Sequence, residues 1–252
     1  MSLAQSTINI FGNAAPANPV VADNAVTLGL KFYSTQPGTI SGIRFYRGHR
    51  NGNGYTVKLF SAGGSLLASA KTSNDTCTVP CWEQVNFASP VSIAASTTYV
   101  AAYYTNNGDY ADDEYTNGGL TNGASNGSLI APASSQVGGN GVYTYSTGFP
   151  NQTWHDSNYY VDVSFTPTAP TLMMSFSPAA PSIQNSTPGG TVVATVNVTW
   201  SNGNPFTGKL SLVSNDGGVF MLSGNQIMVN PSGPGVSADG GTTQNITVQA
   251  VQ

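Results

Sequence analysis

The feature that most constrains this chain is a two-residue alternation of apolar and polar side chains, in short runs broken by Gly and Pro. Side chains of an extended strand point alternately to opposite faces, so such runs specify half-buried strands. Val26, Leu28, Leu30 and Phe32 face one way, while Thr27, Gly29, Lys31 and Tyr33 face the other. The pattern returns in Ile43/Phe45, Tyr55/Val57/Leu59, Val85/Phe87 and Tyr159/Val161/Val163/Phe165, and no long 3.6-residue period competes with it. Short strands punctuated at roughly ten-residue intervals predict antiparallel β-sandwiches.

The rhythm breaks at Thr166-Pro167-Thr168-Ala169-Pro170-Thr171, a semi-extended stretch of small and Pro residues. All 12 tyrosines, both cysteines, both histidines and both glutamates precede Pro167, so composition changes across this stretch. The part after it alternates again in Val192/Ala194/Val196/Val198/Trp200, Leu210/Leu212, Ile227/Val229 and Ile246/Val248. The expectation is all-β: a jelly-roll-like antiparallel sandwich over 1–166, a linker at 167–171 and an immunoglobulin-like sandwich over 172–252, with Trp200 in its core.

Charge narrows the function classes. Lys and Arg number 7 against 11 Asp and Glu, and charged residues make up 7% of the chain, where a globular domain carries about 25%. That excludes a basic nucleic-acid surface and a polybasic membrane patch. No run approaches the roughly 18 apolar residues of a membrane helix. Polarity comes from Asn, Ser, Thr, Gln and Gly, as in extracellular bacterial β-proteins, so a secreted or cell-surface setting is expected, with cytosolic residence the plainer alternative. Met1–Gln5 has neither a basic stretch nor an apolar one, and any export signal is expected to have been removed.

Cys77 and Cys81 flank Thr78-Val79-Pro80. A local disulfide closing this turn is the preferred reading, contributing about 2 kcal/mol by loop closure; two free thiols are the alternative. His49 and His155 lie too far away in sequence to make zinc attractive.

Five stretches carry a family likeness: Asp23–Phe32 (DNAVTLGLKF), Gly38–Gly48 (GTISGIRFYRG), Thr97–Tyr110 (TTYVAAYYTNNGDY), Gly138–Pro150 (GGNGVYTYSTGFP) and Ser157–Phe165 (SNYYVDVSF). In this order they resemble a bacterial family classed as a domain of unknown function. The resemblance implies an exported β-sandwich beside immunoglobulin- or cadherin-like modules and, at times, glycan-acting domains. Residues 171–252, with the stretch Trp200–Gly208, resemble such a companion module. The resemblance carries no activity and no site.

Candidate sites therefore rest on the residues themselves. Nine tyrosines fall between Tyr99 and Tyr160, with Trp154 among them. Aromatic faces pack against sugar C–H groups, and amide and carboxylate groups bond sugar hydroxyls; ordinary strand packing is the competing explanation. By parity Tyr159 belongs to the core with Val161 and Val163, and Tyr160 to the surface with Asp162. Tyr104, Tyr110, Tyr115, Trp154 and Tyr160 are the expected carbohydrate contacts. Asp109, Asp112, Asp113 and Glu114 crowd one loop, where oxygen ligands suit a structural Ca²⁺; Asp23 or Asp162 would complete its shell. A solvated acidic loop is the plainer alternative, and no cofactor is required. Glu83 and Glu114 lack a second-carboxylate context for glycoside hydrolysis, and no nucleophile elbow or zinc helix occurs. Lys31 and Arg44 are candidates for an anionic sugar, although pairing with acids is their commoner fate. The expected function is a non-catalytic module that binds a polysaccharide or glycan, set on a spacer within a larger surface protein. A structural or adhesive segment contacting protein is the alternative, and a glycan-acting enzyme a distant third.

Overall fold

The computed structural model describes residues 5–50, 54–72, 76–236 and 243–251. It is all-β and divides into two compact units, Met1–Ala169 and Pro170–Gln252. Strands of the first unit are β1 (Val21–Ala22), β2 (Val26–Ser34), β3 (Gly38–Arg47), β4 (Tyr55–Ser61), β5 (Leu66–Thr72), β6 (Cys81–Ile93) and β7 (Tyr99–Thr105). They are followed by β8 (Asp109–Tyr110), β9 (Ala124–Asn126), β10 (Leu129–Ala131), β11 (Gly141–Thr144), β12 (Gln152–Thr153) and β13 (Val161–Pro167).

Two antiparallel sheets make the sandwich. One runs β12-β11-β2-β7-β4-β5, with β10 and β9 added beside β2; the other is β13-β3-β6. The apolar phase of each strand turns inward as the alternation predicts. Leu28, Leu30 and Phe32 of β2 and Val57 and Leu59 of β4 meet Ile43 and Phe45 of β3 and Val163 and Phe165 of β13 in one core. Phe45 stacks on Tyr103 of β7 at 4.2 Å between centroids, tying the sheets together. Such pairs contribute about 0.5–1.5 kcal/mol beyond the area they bury.

Alternation predicts one wet face per sheet, and here the structure departs from it. A segment around Phe149 and Pro150 covers part of the larger sheet's outer face, packing Phe149 with Phe60, Val100, Ala102 and Val142. Thr27 is fully buried there and donates to Ser146 O at 2.5 Å. Lys31 donates to the carbonyls of Val137 and Gly139 at 2.7 and 2.8 Å, so its partners among the described residues are backbone oxygens rather than an acid.

The outer face of the small sheet is closed by the N-terminal segment. Ile8 bridges Phe165, and the Asp162 carboxylate accepts from the backbone N–H groups of Ile10, Phe11 and Val163 at 2.8–2.9 Å. Phe11 packs against Trp82 and Tyr160, and the Trp82 indole donates to Ala14 O. Arg44 lies over the Trp82 ring at 4.3 Å and donates to Gly12 O. Nearby, the turn before β6 is closed by the Cys77–Cys81 disulfide, with Cα atoms 6.2 Å apart. The Glu83 carboxylate, fully buried, accepts from Arg47 at 2.5 Å and from Thr76 N at 3.1 Å, so this glutamate is half of a structural ion pair.

The second unit contains β14 (Leu172–Ser177), β15 (Val192–Trp200), β16 (Lys209–Ser214), β17 (Phe220–Ser223), β18 (Gln226–Val229) and β19 (Thr247–Val251). They form the sheets β14-β15-β18-β17 and β16-β19 around Ala194, Val196, Phe220, Ile227 and Val229. A register shift between Val192 and Ala194 turns Val192 outward and brings Val193 against the core, which breaks the expected phase. A bulge inserts one residue and so reverses side-chain parity beyond it. Trp200 is half-buried and outside this cluster, contrary to expectation.

Candidate functional site

A cleft of about 500 Å³ opens in the first unit between β1–β8, the start of β2, the end of β11 and the 154–159 segment. Gly108 permits its geometry: its φ is +74°, and a Cβ there would lie 1.9 Å from Asp23 O. With Gly108 in place, Asp23 N donates to Gly108 O, and β8 pairs with β1 so that Tyr110 stands opposite Val21.

Aromatic rings make the walls. Tyr110 meets Tyr159 edge-on at 5.8 Å, Tyr159 meets Tyr143 at 6.4 Å, and Tyr143 meets Tyr145 at 5.6 Å. Trp154 lines the opposite part of the cleft with 51% of its surface exposed, and its indole lies 4.0 Å from His155, which in turn stacks on Tyr115. The backbone carrying this row is held in unusual conformations. Tyr115, His155, Asp156 and Tyr160 all have positive φ, a costly state for non-Gly residues that gathers at ligand sites. It is pinned by Leu120 N donating to Asp156 O, Tyr115 N to His155 O and Ser157 N to Trp154 O.

Polar groups converge from three segments. Asp23 accepts from the Tyr145 hydroxyl at 2.8 Å and from Tyr110 at 3.4 Å. Burial, with the Asp23 charge, pushes the Tyr110 phenol above the ordinary tyrosine range, and the bond to Asp23 does the same for Tyr145. Glu114 accepts from the Trp154 indole at 3.2 Å and lies 2.9 Å from His155 Nδ1. Asp112 is 8% exposed, and its Oδ1 has no hydrogen-bond partner among the described residues. Burial raises its carboxyl to about 7; the Ser157 hydroxyl opposes this, the Glu114 and Asp113 charges add to it, and His155 opposes it. A second recess of about 200 Å³, on the outer face beside Phe149, has Lys31 as its charged lining residue, and that amine is already bonded.

Of the expected sugar contacts, Tyr110 and Trp154 line the cleft. Tyr115 is half-exposed beside it, on the far side of His155. Tyr104 lies apart, half-buried on the outer face of the large sheet. Tyr160 is corrected: it is 5% exposed, packed with Phe11, Tyr46 and Trp82, and its hydroxyl donates to Asp113 at 2.6 Å. Parity misplaced it because the N-terminal segment covers the face that alternation left open.

The calcium expectation gains no support from the placement of these carboxylates. Asp113 spends its oxygens on Ala17 N, Asn18 N and Tyr160 OH, while Asp109 accepts from Asn107 and Glu114 turns to Trp154 and His155. Among the described residues no group of three or more His, Cys, Asp or Glu is placed to hold a metal ion. Asp162, considered for the same shell, is fully buried under the N-terminal segment.

Tyr143, Tyr145, Tyr159, Asn18 and Asp23 belong to the cleft and were not expected there. The i, i+2 spacing of Tyr143 and Tyr145 places both on one face and was the available signal; Asp23 and Asn18 come from an irregular segment that offers none.

Compared with curated proteins, the chain matches none. The family described as domain of unknown function DUF4082 matches residues 13–161, a span that contains every residue lining the cleft. Through that span, which is more than half of its length, this chain belongs to the DUF4082 family.

Proposed function

We propose that the first unit is a non-catalytic carbohydrate-binding module whose binding site is the Tyr110–Trp154 cleft, and that the second is an immunoglobulin-like spacer in a secreted or surface-displayed bacterial protein. The observation that carries this reading is a concave site with aromatic walls and a few converging polar groups, the form small-ligand sites take. Non-catalytic use is supported by the carboxylates themselves. Asp23 and Glu114 are taken up by protein donors, which leaves Asp112 without a second free carboxylate to complete the acid–base pair that glycoside hydrolysis uses.

Two or three stacked sugars at about 0.5–1.5 kcal/mol each, less the cost of ordering them, give single-site affinities of roughly millimolar or weaker. Useful retention then comes from polymeric ligands. A glycan array followed by calorimetry tests the reading. Trp154→Ala should weaken binding about tenfold or more while moving the melting temperature by less than about 2 °C, because an exposed ring contributes little to folding. An array without a binding glycan, or an unchanged affinity in Trp154→Ala, overturns the assignment and favours a structural, adhesive segment.

A further inference from the structure

The charged side chains lining the cleft, Asp23, Asp112 and Glu114, are all acidic. Asp23 and Glu114 already accept hydrogen bonds from protein groups. Asp112 differs, since it is more than nine-tenths buried and its shielded Oδ1 meets no donor among the described residues. A buried acceptor without a donor is costly, and so is a buried charge without a counter-charge. Tyrosine and indole faces also attract a cation held within about 6 Å of their centroids. An anionic ligand would meet three acidic side chains, and a neutral one would supply donors but no charge. An ammonium group supplies both.

We propose that the cleft selects an amine-bearing glycan, a deacetylated amino sugar whose ammonium sits against Asp112 among the Tyr110, Tyr159 and Trp154 rings. This inference rests on the carbohydrate reading above and adds the ligand's charge to it. The groups facing Asp112 set its proton: Glu114 and Asp113 favour the protonated form, and His155 and the Ser157 hydroxyl oppose it. The Tyr103, Tyr110 and Tyr159 phenols are all held above their ordinary range and stay neutral around it. The free protein therefore keeps a proton on Asp112 up to about pH 7. An arriving ammonium favours the carboxylate and expels that proton.

The test is calorimetry on the full chain at about pH 6, with glucosamine trisaccharide against N-acetylglucosamine trisaccharide, in two buffers of different ionisation heat. The amine form should bind about tenfold tighter and release close to one proton. Asp112→Asn should cut that preference to below about threefold and abolish the release, and Asp112→Glu should restore part of both. Should the Asn variant not fold, the proton count of the unmodified chain decides. Equal affinities, no proton release or an unchanged preference in a folded Asn variant overturns the inference. If N-acetylglucosamine trisaccharide or another neutral glycan binds without an amine advantage, the carbohydrate reading stands and this one fails; if no saccharide binds, both fall. Oligolysine binding as well as the amino sugar would overturn the glycan as the selected partner.

Discussion

Two aromatic clusters of the first unit are built from the same materials and come to opposite ends. Phe11, Tyr46, Trp82 and Tyr160 pack beside Asp113 and Asp162, and Tyr110, Tyr143, Tyr145, Tyr159 and Trp154 gather beside Asp23 and Asp112. In the first cluster the N-terminal segment closes over the rings, and Asp113 and Asp162 each accept three or more donors. In the second the rings stay open to solvent on one side, and Asp112 keeps an oxygen without a donor. Aromatic content therefore does not separate core from site. Closure by chain and the pairing of the carboxylates do.

The sharpest way to break the comparison is Asp162→Ala. It removes the acceptor for Ile10, Phe11 and Val163 N–H groups and the negative charge facing Arg44. Leaving such donors and a cation uncompensated should cost about 3 kcal/mol or more in urea unfolding. A cost under about 1 kcal/mol would mean that the N-terminal segment is not what closes the first cluster.

Removing single hydroxyls gives a smaller and paired effect. Tyr160→Phe deletes a buried bond to a carboxylate and should cost about 2 kcal/mol. Tyr145→Phe deletes a bond of similar length to Asp23, but 56% of Tyr145 is exposed, so its cost should stay below about 0.5 kcal/mol. Equal costs would erase the distinction between the closed cluster and the open one.

The remaining prediction is a pH slope. Asp112 titrates at about 7 in the folded chain against an ordinary 3.8. Between those values the folded state binds more protons than the unfolded state, so stability present below pH 3.8 declines as pH rises toward about 7. Asp162 is also raised by burial and adds its own slope. Denaturation midpoints across this range should fall less in Asp112→Asn than in the unmodified chain, and identical slopes would place Asp112 in a solvated setting.

Much of the fold was legible in the residues. The alternation in β2, β3, β4 and β13 named the inward phase correctly, and Tyr159, assigned to the core by parity with Val161 and Val163, is 4% exposed. The outward phase was not legible. Thr27, Tyr160 and Asp162 all belong to it, and all are buried. Their covers come from residues 146–150 and 8–14, far away in sequence. At the start of β15 a bulge put Val192 out of phase with Ala194 and Val196, and alternation carries no mark of a bulge. The site was read in part. Loop aromatics pointed to Tyr110 and Trp154, while Asp23 and Asp112 acquired their roles from partners and shielding that no local pattern records.

From the amino-acid order alone came the strand faces, the antiparallel all-β class and the pairing of Cys77 with Cys81. These depend on pleat geometry and loop closure over a few residues. Tertiary structure decided which outward faces are sealed and which carboxylate is left without a donor. Hydrogen-bond satisfaction is settled between segments more than a hundred residues apart, as where Asp162 receives Ile10 and Phe11 N–H groups. The same folding brings Asn18, Tyr110 and Tyr159 around Asp112 and gives its Oδ1 no donor among the described residues.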